Sequence, residues 1–324
     1  MNDVTAETNL PVPGDAEPNI VYSVAASPDF AGDGVCFAGR SSGLVRSEDG
    51  GRTWQDAYAS LALPEALTTA AVAVSPGFAT DRSLFAGAPG GVLRSVDGGH
   101  TWQVASLPAP PPFVLALMLS PNYPQDGTLF AGTLEDGIFR SGDRGANWAG
   151  WNFGLLDLNV LCMAISPAYA GDETLFVGAE SGIFRSTNGG RAWREVDFPS
   201  EYAPVLSLAL SPGYADDGVL LAGTESHGMF RSADEGRTWT RLAEEAMAGT
   251  VNAVLLAPGY PATPHILAAQ DDSLLVSRDD GASWSPWSED LDLEAGVASL
   301  AAPQGLDAGA PLLIGLADGR VLRI

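Results

Sequence analysis

One pattern constrains this chain more than any other. S-x-D-x-G-x-x-W is written six times: first with Ser47, Asp49, Gly51 and Trp54, then with Ser95, Asp97, Gly99 and Trp102, and with Ser141, Asp143, Gly145 and Trp148. It returns with Ser186, Asn188, Gly190 and Trp193, with Ser232, Asp234, Gly236 and Trp239, and with Ser277, Asp279, Gly281 and Trp284. Successive tryptophans lie 48, 46, 45, 46 and 45 residues apart. That period has room for about four short strands, so one supersecondary unit is being copied, and its copies must stack to bury a core. Ser and Asp side chains bond the backbone of a tight turn, Gly supplies positive φ, and the indole leaves as an apolar wedge with one N–H to satisfy. A catalytic group is not ordinarily copied together with its turn, so the box residues read as architecture.

Reading backwards from each box predicts the rest of the unit. In the first repeat, strands are expected at 20–26, 35–39, 43–46 and 53–57. The first strand of each unit ends in a turn with proline, at Pro28, Pro76, Pro121, Pro167, Pro212, Pro258 and Pro303, which makes seven units for six boxes. Phe30, Phe78, Tyr123, Tyr169, Tyr214 and Tyr260 follow these prolines in register and are expected to cover the core edge. Second strands such as Leu129-Phe130-Ala131-Gly132 are apolar on both faces, the mark of a sheet buried on both sides. The chain is therefore predicted to be all-β, a single seven-bladed β-propeller of four-stranded antiparallel blades spanning 20–57, 66–105, 112–151, 158–197, 203–242, 250–287 and 296–324. The seventh unit stops before a box, so residues 3–10 are expected to supply its outer strand beside Val321, Leu322 and Arg323 and remove an open sheet edge.

These boxes resemble the Asp-box, or BNR, repeats of sialidases, sortilin-type receptors, xyloglucanases and the photosystem II assembly and stability factor, propellers of the wider WD40/YVTN-like kind. The resemblance covers nearly the whole chain and implies the propeller fold. It does not imply one function, because those relatives include glycosidases, cargo receptors and assembly chaperones. In the sialidases it resembles, the boxes lie opposite the active site, which directs attention to the face carrying the other loops. Sialidase chemistry itself is not expected, since that face offers Arg40 and Arg320 where an arginine triad is required, and Ile20-Val21-Tyr22-Ser23 contains no Arg-Ile-Pro motif. The photosystem factor is the nearest in size and simplicity, but it uses an arginine patch that the corresponding face here lacks.

Composition narrows the partners. The formal charge is −24, and all 16 basic residues are arginine, which excludes Schiff-base lysine chemistry and argues against a nucleic-acid backbone as ligand. The acidic N-terminal stretch has no signal-peptide pattern, and no apolar run is long enough to span a bilayer, so a soluble cytoplasmic monomer without membrane insertion is expected. Cys36 and Cys162 fall in distant repeats and read as small buried hydrophobes rather than a disulfide. His100, His227 and His265 share no metal-ligand spacing, and adjacent acids such as Asp271 and Asp272 point apart; no metal and no cofactor are expected.

The distribution of charge is more informative than its sum. The loops opposite the boxes collect Glu65, Glu135, Asp136, Asp157, Glu180, Asp197, Glu201, Glu225, Glu244, Glu245, Asp271, Asp272, Glu289, Asp290, Asp292, Glu294 and Asp318. Most arginines fall at the box rim, where Asp33, Asp81, Asp126, Asp172 and Asp217 stand available to pair with them. The acidic face also carries aromatics out of register with the repeat: Tyr58, Phe113, Trp151, Phe153, Phe198, Tyr202 and Trp287. Irregular aromatics beside acids suit a binding surface. The predicted function is a non-catalytic binding or assembly scaffold gripping a cationic protein or peptide, with Glu135, Asp136, Glu180, Glu225, His227, Asp271, Trp151, Phe153, Tyr202 and Trp287 as candidate binding residues. The alternative is a glycan-active enzyme using two of Glu135, Glu180, Glu225 and Asp271 across the channel mouth, about 5–5.5 Å apart for retention or about 6.5–9.5 Å for inversion.

Overall fold

A computed structural model of the chain describes residues 19–108, 111–243, 247–288 and 290–324. Seven antiparallel sheets stand in a ring, a seven-bladed β-propeller. In blade one the inner strand Val21–Ala26 pairs with Cys36–Arg40, that with Gly43–Ser47, and that with the outer strand Gln55–Asp56. The next five blades repeat this order, with inner strands Ala71–Val74, Phe113–Leu119, Val160–Ile165, Val205–Leu210 and Val251–Leu256. Blade seven contributes Val297–Ala301, Leu313–Leu316 and Val321–Arg323, three strands among the described residues. The expected fourth strand, residues 3–10, lies outside the described residues. The ring closes where Ser299 Oγ of blade seven donates a buried hydrogen bond of 2.8 Å to the Val21 carbonyl of blade one.

The interfaces between blades explain the conserved spacing of the repeat. Phe37, Phe85, Phe130 and Phe176 on second strands are fully buried, and each meets the aromatic after the proline turn of the next blade edge to face: Phe78, Tyr123, Tyr169 and Tyr214, at centroid distances of 5.8–6.1 Å. Such pairs add about 0.5–1.5 kcal/mol beyond the area they bury. The glycine at the fifth position of the box seals the same seam. A Cβ on Gly99 would lie 2.8 Å from Phe37, one on Gly145 2.7 Å from Phe85, and one on Gly51 2.9 Å from Leu313 of blade seven. These glycines also have φ between +81° and +89°, so both the backbone and the neighbouring blade demand glycine. In two boxes the indole also reaches backwards, Trp102 Nε1 donating to the Ala57 carbonyl and Trp193 Nε1 to the Trp151 carbonyl of the preceding blade, both at 2.8 Å, while Trp148 and Trp284 donate to the glycine carbonyl of their own box.

Within each box the carboxylate organises the turn. Asp97 Oδ1 accepts from Ser95 Oγ and from the His100 and Thr101 amides, while Thr101 Oγ1 donates to Oδ2. The Ser95 Oγ in turn accepts the Gly99 amide at 2.8 Å. Because the amides up to the residue before the tryptophan are spent on the carboxylate, the outer strand starts late. Four outer strands are only two residues long, Gln55–Asp56, Ala149–Gly150, Arg194–Glu195 and Ser285–Pro286, shorter than the span 53–57 expected for the first of them.

The proline turns also differ from expectation. In five blades they continue into one-turn helices, Phe30–Asp33, Phe78–Asp81, Tyr123–Asp126, Tyr169–Asp172 and Tyr214–Asp217. Among the described residues, the closing aspartates do not pair with arginine. Asp33 Oδ2 accepts from Ser27 Oγ at 2.7 Å and its Oδ1 accepts the Val35 amide at 2.9 Å, and Asp81, Asp126, Asp172 and Asp217 repeat this on Ser75, Ser120, Ser166 and Ser211. A local serine six residues away costs less chain entropy than an arginine across a groove. The arginines find other partners: Arg185 pairs with Glu235 at 2.8 Å and Arg231 with Asp280 at 3.1 Å in the next blade's box. Turn and box are then tied together by backbone bonds such as Gly50 N–H to the Gly34 carbonyl and Gly98 N–H to the Arg82 carbonyl, both 2.9 Å, which places both on one rim.

Cys36 and Cys162 are free thiols on blades one and four, and burial pushes both up to about 12.

Two outcomes follow from this architecture. G99A is expected to cost about 2–3 kcal/mol in urea unfolding through the strained φ and the clash with Phe37. G171A, in a helical turn with open space around it, is expected to lie between neutral and about 1 kcal/mol stabilising. Equal effects would contradict the seam. The second outcome concerns acid. In Asp143, Asp234 and Asp279, hydrogen bonds from the side chains of Asn147, Thr238 and Ser283 and from the backbone hold the carboxyls at about 2, below the ordinary 3.8. At Asp97, burial acts upwards but the bonds from Thr101, Ser95 and His100 outweigh it, again giving about 2. A depressed folded-state value contributes stability above the unfolded value and loses it as pH falls through the folded one. The melting temperature should therefore drop between about pH 4 and about pH 2, and D143N, copying the natural Asn188 box, should flatten that slope; an unchanged slope would show that the box carboxylates are not its source.

Candidate binding face

The loops opposite the boxes are held to the inner strands by backbone bonds. Glu225 N–H donates to the Pro204 carbonyl at 3.1 Å, Asp271 N–H to the Thr250 carbonyl at 3.0 Å, and Val297 N–H to the Asp271 carbonyl at 2.8 Å. Asp271 Oδ1 also accepts the Thr250 amide at 3.3 Å. Between blades three and four a side chain that the sequence did not single out does this work. Asn159 Oδ1 accepts the Glu135 amide at 3.0 Å while its Nδ2 donates to Glu180 Oε2 at 3.0 Å. Asp157 accepts the amides of Asn159 at 2.9 Å and Ser181 at 2.7 Å, so it straps two loops together. Nothing in the repeat marks Asn159, because it sits outside the box and the proline turn.

Glu135, Glu180, Glu225 and Asp271 occupy equivalent loops on blades three to six, one to a blade, and all four side chains are exposed. Of the four, Asp271 lines a cavity of about 660 Å³ between blades six, seven and one. It shares that cavity with Asp272 and Glu294, and the walls include Tyr22, Asn252 and Ala298 of the inner strands. Glu225, its neighbour in register, is not among the lining residues.

The two expected cations of this face behave differently. Arg320 is spent between Asp292, at 2.8 Å, and Asp318, at 2.6 Å. Arg40 is half-buried, desolvation pushes its guanidinium below the ordinary value, and its Nε has no hydrogen-bond partner among the described residues. Glu135, Glu180, Glu225, Asp271, Asp272 and Glu294 form no ion pair among the described residues, so the surplus of acid faces solvent. Asp197, expected here, instead lines a groove of about 520 Å³ between blades four and five, where Arg185, Arg194 and Arg237 balance Glu195, Glu235 and Asp197 itself. Glu244, Glu245 and Glu289 lie outside the described residues.

Packing accounts for most of the irregular aromatics. Tyr58 is buried, bonds Thr69 Oγ1 at 2.9 Å and meets Trp102 edge to face. Trp151 lies between the guanidinium groups of Arg140 at 4.5 Å and Arg191 at 5.9 Å. Phe198 is buried against Phe230 and Trp239, and Tyr202 stacks on Phe230 at 4.7 Å and also meets His227 in a tilted contact at 5.2 Å. Trp287 packs on the core cluster shared by blades six and seven. Phe113 is half-buried at the start of the inner strand of blade three, whereas Phe153 is 81% exposed, and Leu156 on the same loop is 78% exposed.

No family profile matches the chain, and no curated protein sequence matches it. Its fold does match solved structures. A GH74 xyloglucanase from Xanthomonas campestris superposes with a TM-score of 0.72 at 20% identity, covering 94% of this chain and 52% of that one. The extracellular domain of a putative one-component system, BT4673 from B. thetaiotaomicron, gives 0.70 at 15% identity over 95% and 38%. YCF48 bound to D1 peptide gives 0.69 at 18% identity over 94% and 93%. This chain thus spans about half the length of the xyloglucanase and nearly all of YCF48. No helix among the described residues is long and apolar enough to cross a membrane. At these identities the likeness establishes the propeller fold and nothing finer.

Proposed function

We propose that the protein is a non-catalytic binding scaffold whose acidic face takes a protein or peptide segment with a cationic surface. The observation that carries this reading is the surplus of exposed carboxylates with no ion pair among the described residues on the face opposite the boxes, with Arg320 already consumed by Asp292 and Asp318. A field of one sign over a cleft raises encounter rate and selectivity for the opposite sign and weakens with salt. The four in-register carboxylates are one to a blade, and their loops are tied into the inner strands, an arrangement suited to presenting charge along an arc. YCF48, a propeller of the same extent, was solved with a peptide, which makes a peptide-binding role for a lone propeller physically reasonable. The glycan-active alternative has support from the fold likeness to GH74 enzymes, and within the cavity it would rest on Asp271 with Asp272 or Glu294.

The test compares faces. An arginine-rich fluorescent peptide is titrated at low and high salt against the wild type, against E135Q/E180Q/E225Q, and against D29N/E48Q/D216N, which removes the same charge from the box rim. The proposal expects affinity to fall about tenfold in the first variant and to stay within about twofold in the second. Equal losses would mean that net charge, not this face, does the binding. Turnover of a β-glucan panel abolished by D271N would replace the scaffold with an enzyme.

A further inference from the structure

The inner strands carry a feature that the repeat alone does not require. Six of the seven begin with a bulge, an extra residue that pairs with nothing on the second strand: Tyr22, Leu115, Leu161, Leu206, Asn252 and Ala298. A bulge re-aims its side chain out of the alternation of the strand. In the innermost strand of a closed ring, both faces of the sheet look at neighbouring blades, so the re-aimed side chain turns towards the channel. Tyr22, Asn252 and Ala298 do so, since all three line the cavity that holds Asp271, Asp272 and Glu294.

The other three are leucines on consecutive blades. Leu115, Leu161 and Leu206 are each only partly buried, although the residues immediately before them, Val114, Val160 and Val205, are fully buried. None of the seven core clusters includes them. The core therefore does not explain why three large apolar side chains stand there. In the ring, blades three, four and five lie across the channel from blades six, seven and one. Three leucines thus stand on the inner strands of blades three to five, below the loops that carry Glu135, Glu180 and Glu225, and face an arc with Asp271, Asp272 and Glu294.

Resting on the reading of the acidic face given above, we infer that this mouth is a two-sided site for an extended peptide in which a basic residue directly follows or precedes an aliphatic one. Consecutive side chains of an extended chain point in opposite directions. One residue then delivers its aliphatic side chain to Leu115, Leu161 and Leu206, and the next delivers its ammonium or guanidinium to Asp271, Asp272 and Glu294. Acceptors dominate the charged arc, so a cationic donor fits it, and an anionic peptide is repelled. A block of basic residues followed by a block of aliphatic ones has the same composition but satisfies one arc at a time.

Three labelled peptides test this by fluorescence anisotropy: alternating Leu-Lys, the same residues in two blocks, and alternating Ser-Lys. The alternating Leu-Lys peptide is expected to bind about tenfold or more tightly than either of the others, the range set by burying one leucine side chain. L161S should remove that advantage while leaving Ser-Lys binding unchanged, and D271N/D272N/E294Q should weaken all three. A298W, which fills the cavity from a partly exposed position, gives a second obstruction should L161S fold poorly. Equal binding of alternating and block peptides, or an advantage that survives both L161S and A298W, overturns the site. If basic peptides still bind in a salt-sensitive way that E135Q/E180Q/E225Q reduces, the acidic-face reading stands and only the two-sided mouth is wrong. If none of the basic peptides binds, both fall together.

Discussion

No blade of this protein can bury both faces of its own sheet. Each second strand is apolar on either side, so one face must be covered by the blade before and the other by the blade after, and only a closed ring meets that demand for every copy. The seam that satisfies it is built from the same parts at successive positions: a second-strand phenylalanine, the aromatic after the next proline turn, and the glycine of the next box pressed against the phenylalanine ring. Where the chain ends meet, Gly51 against Leu313 and Ser299 against Val21 reproduce the seam between the first and last blades. The aspartates of the boxes serve this seam indirectly, because the turn they organise is what holds the glycine at positive φ beside its neighbour.

What the sequence made legible follows from that repetition. A residue copied at a constant period announces its role, so the box tryptophans, the proline turns and the number of blades were readable before any coordinates. Side chains that act once do not announce themselves. Asn159 bridges the Glu135 and Glu180 loops with a side chain where other blades have Pro204 or Thr250, and the bulges at Tyr22 and Leu161 are register shifts that periodicity conceals. The closing aspartates of the turns, Asp33 and its equivalents, illustrate the converse error. Their repetition is visible, and their place on the arginine-rich rim suggests ion pairs, whereas the partner is the serine six residues back.

On the proposed reading, the two rims divide stability from recognition. Most of the irregular aromatics of the acidic face turn out to be packed, on Arg140, on Phe230, or on the blade six and seven core, which leaves Phe153 exposed and shifts the weight of recognition onto the carboxylates and the channel mouth.

The central claim, that the box and proline-turn residues are architecture and the loops opposite the boxes are the working surface, is tested most directly by hydrogen–deuterium exchange with and without a bound alternating Leu-Lys peptide. The account predicts new protection in residues 134–137, 157–162, 180–182, 224–228, 250–252, 270–273 and 294–298, with the six boxes unchanged. Protection confined to the boxes, or to the groove between Arg185 and Arg237, would contradict it.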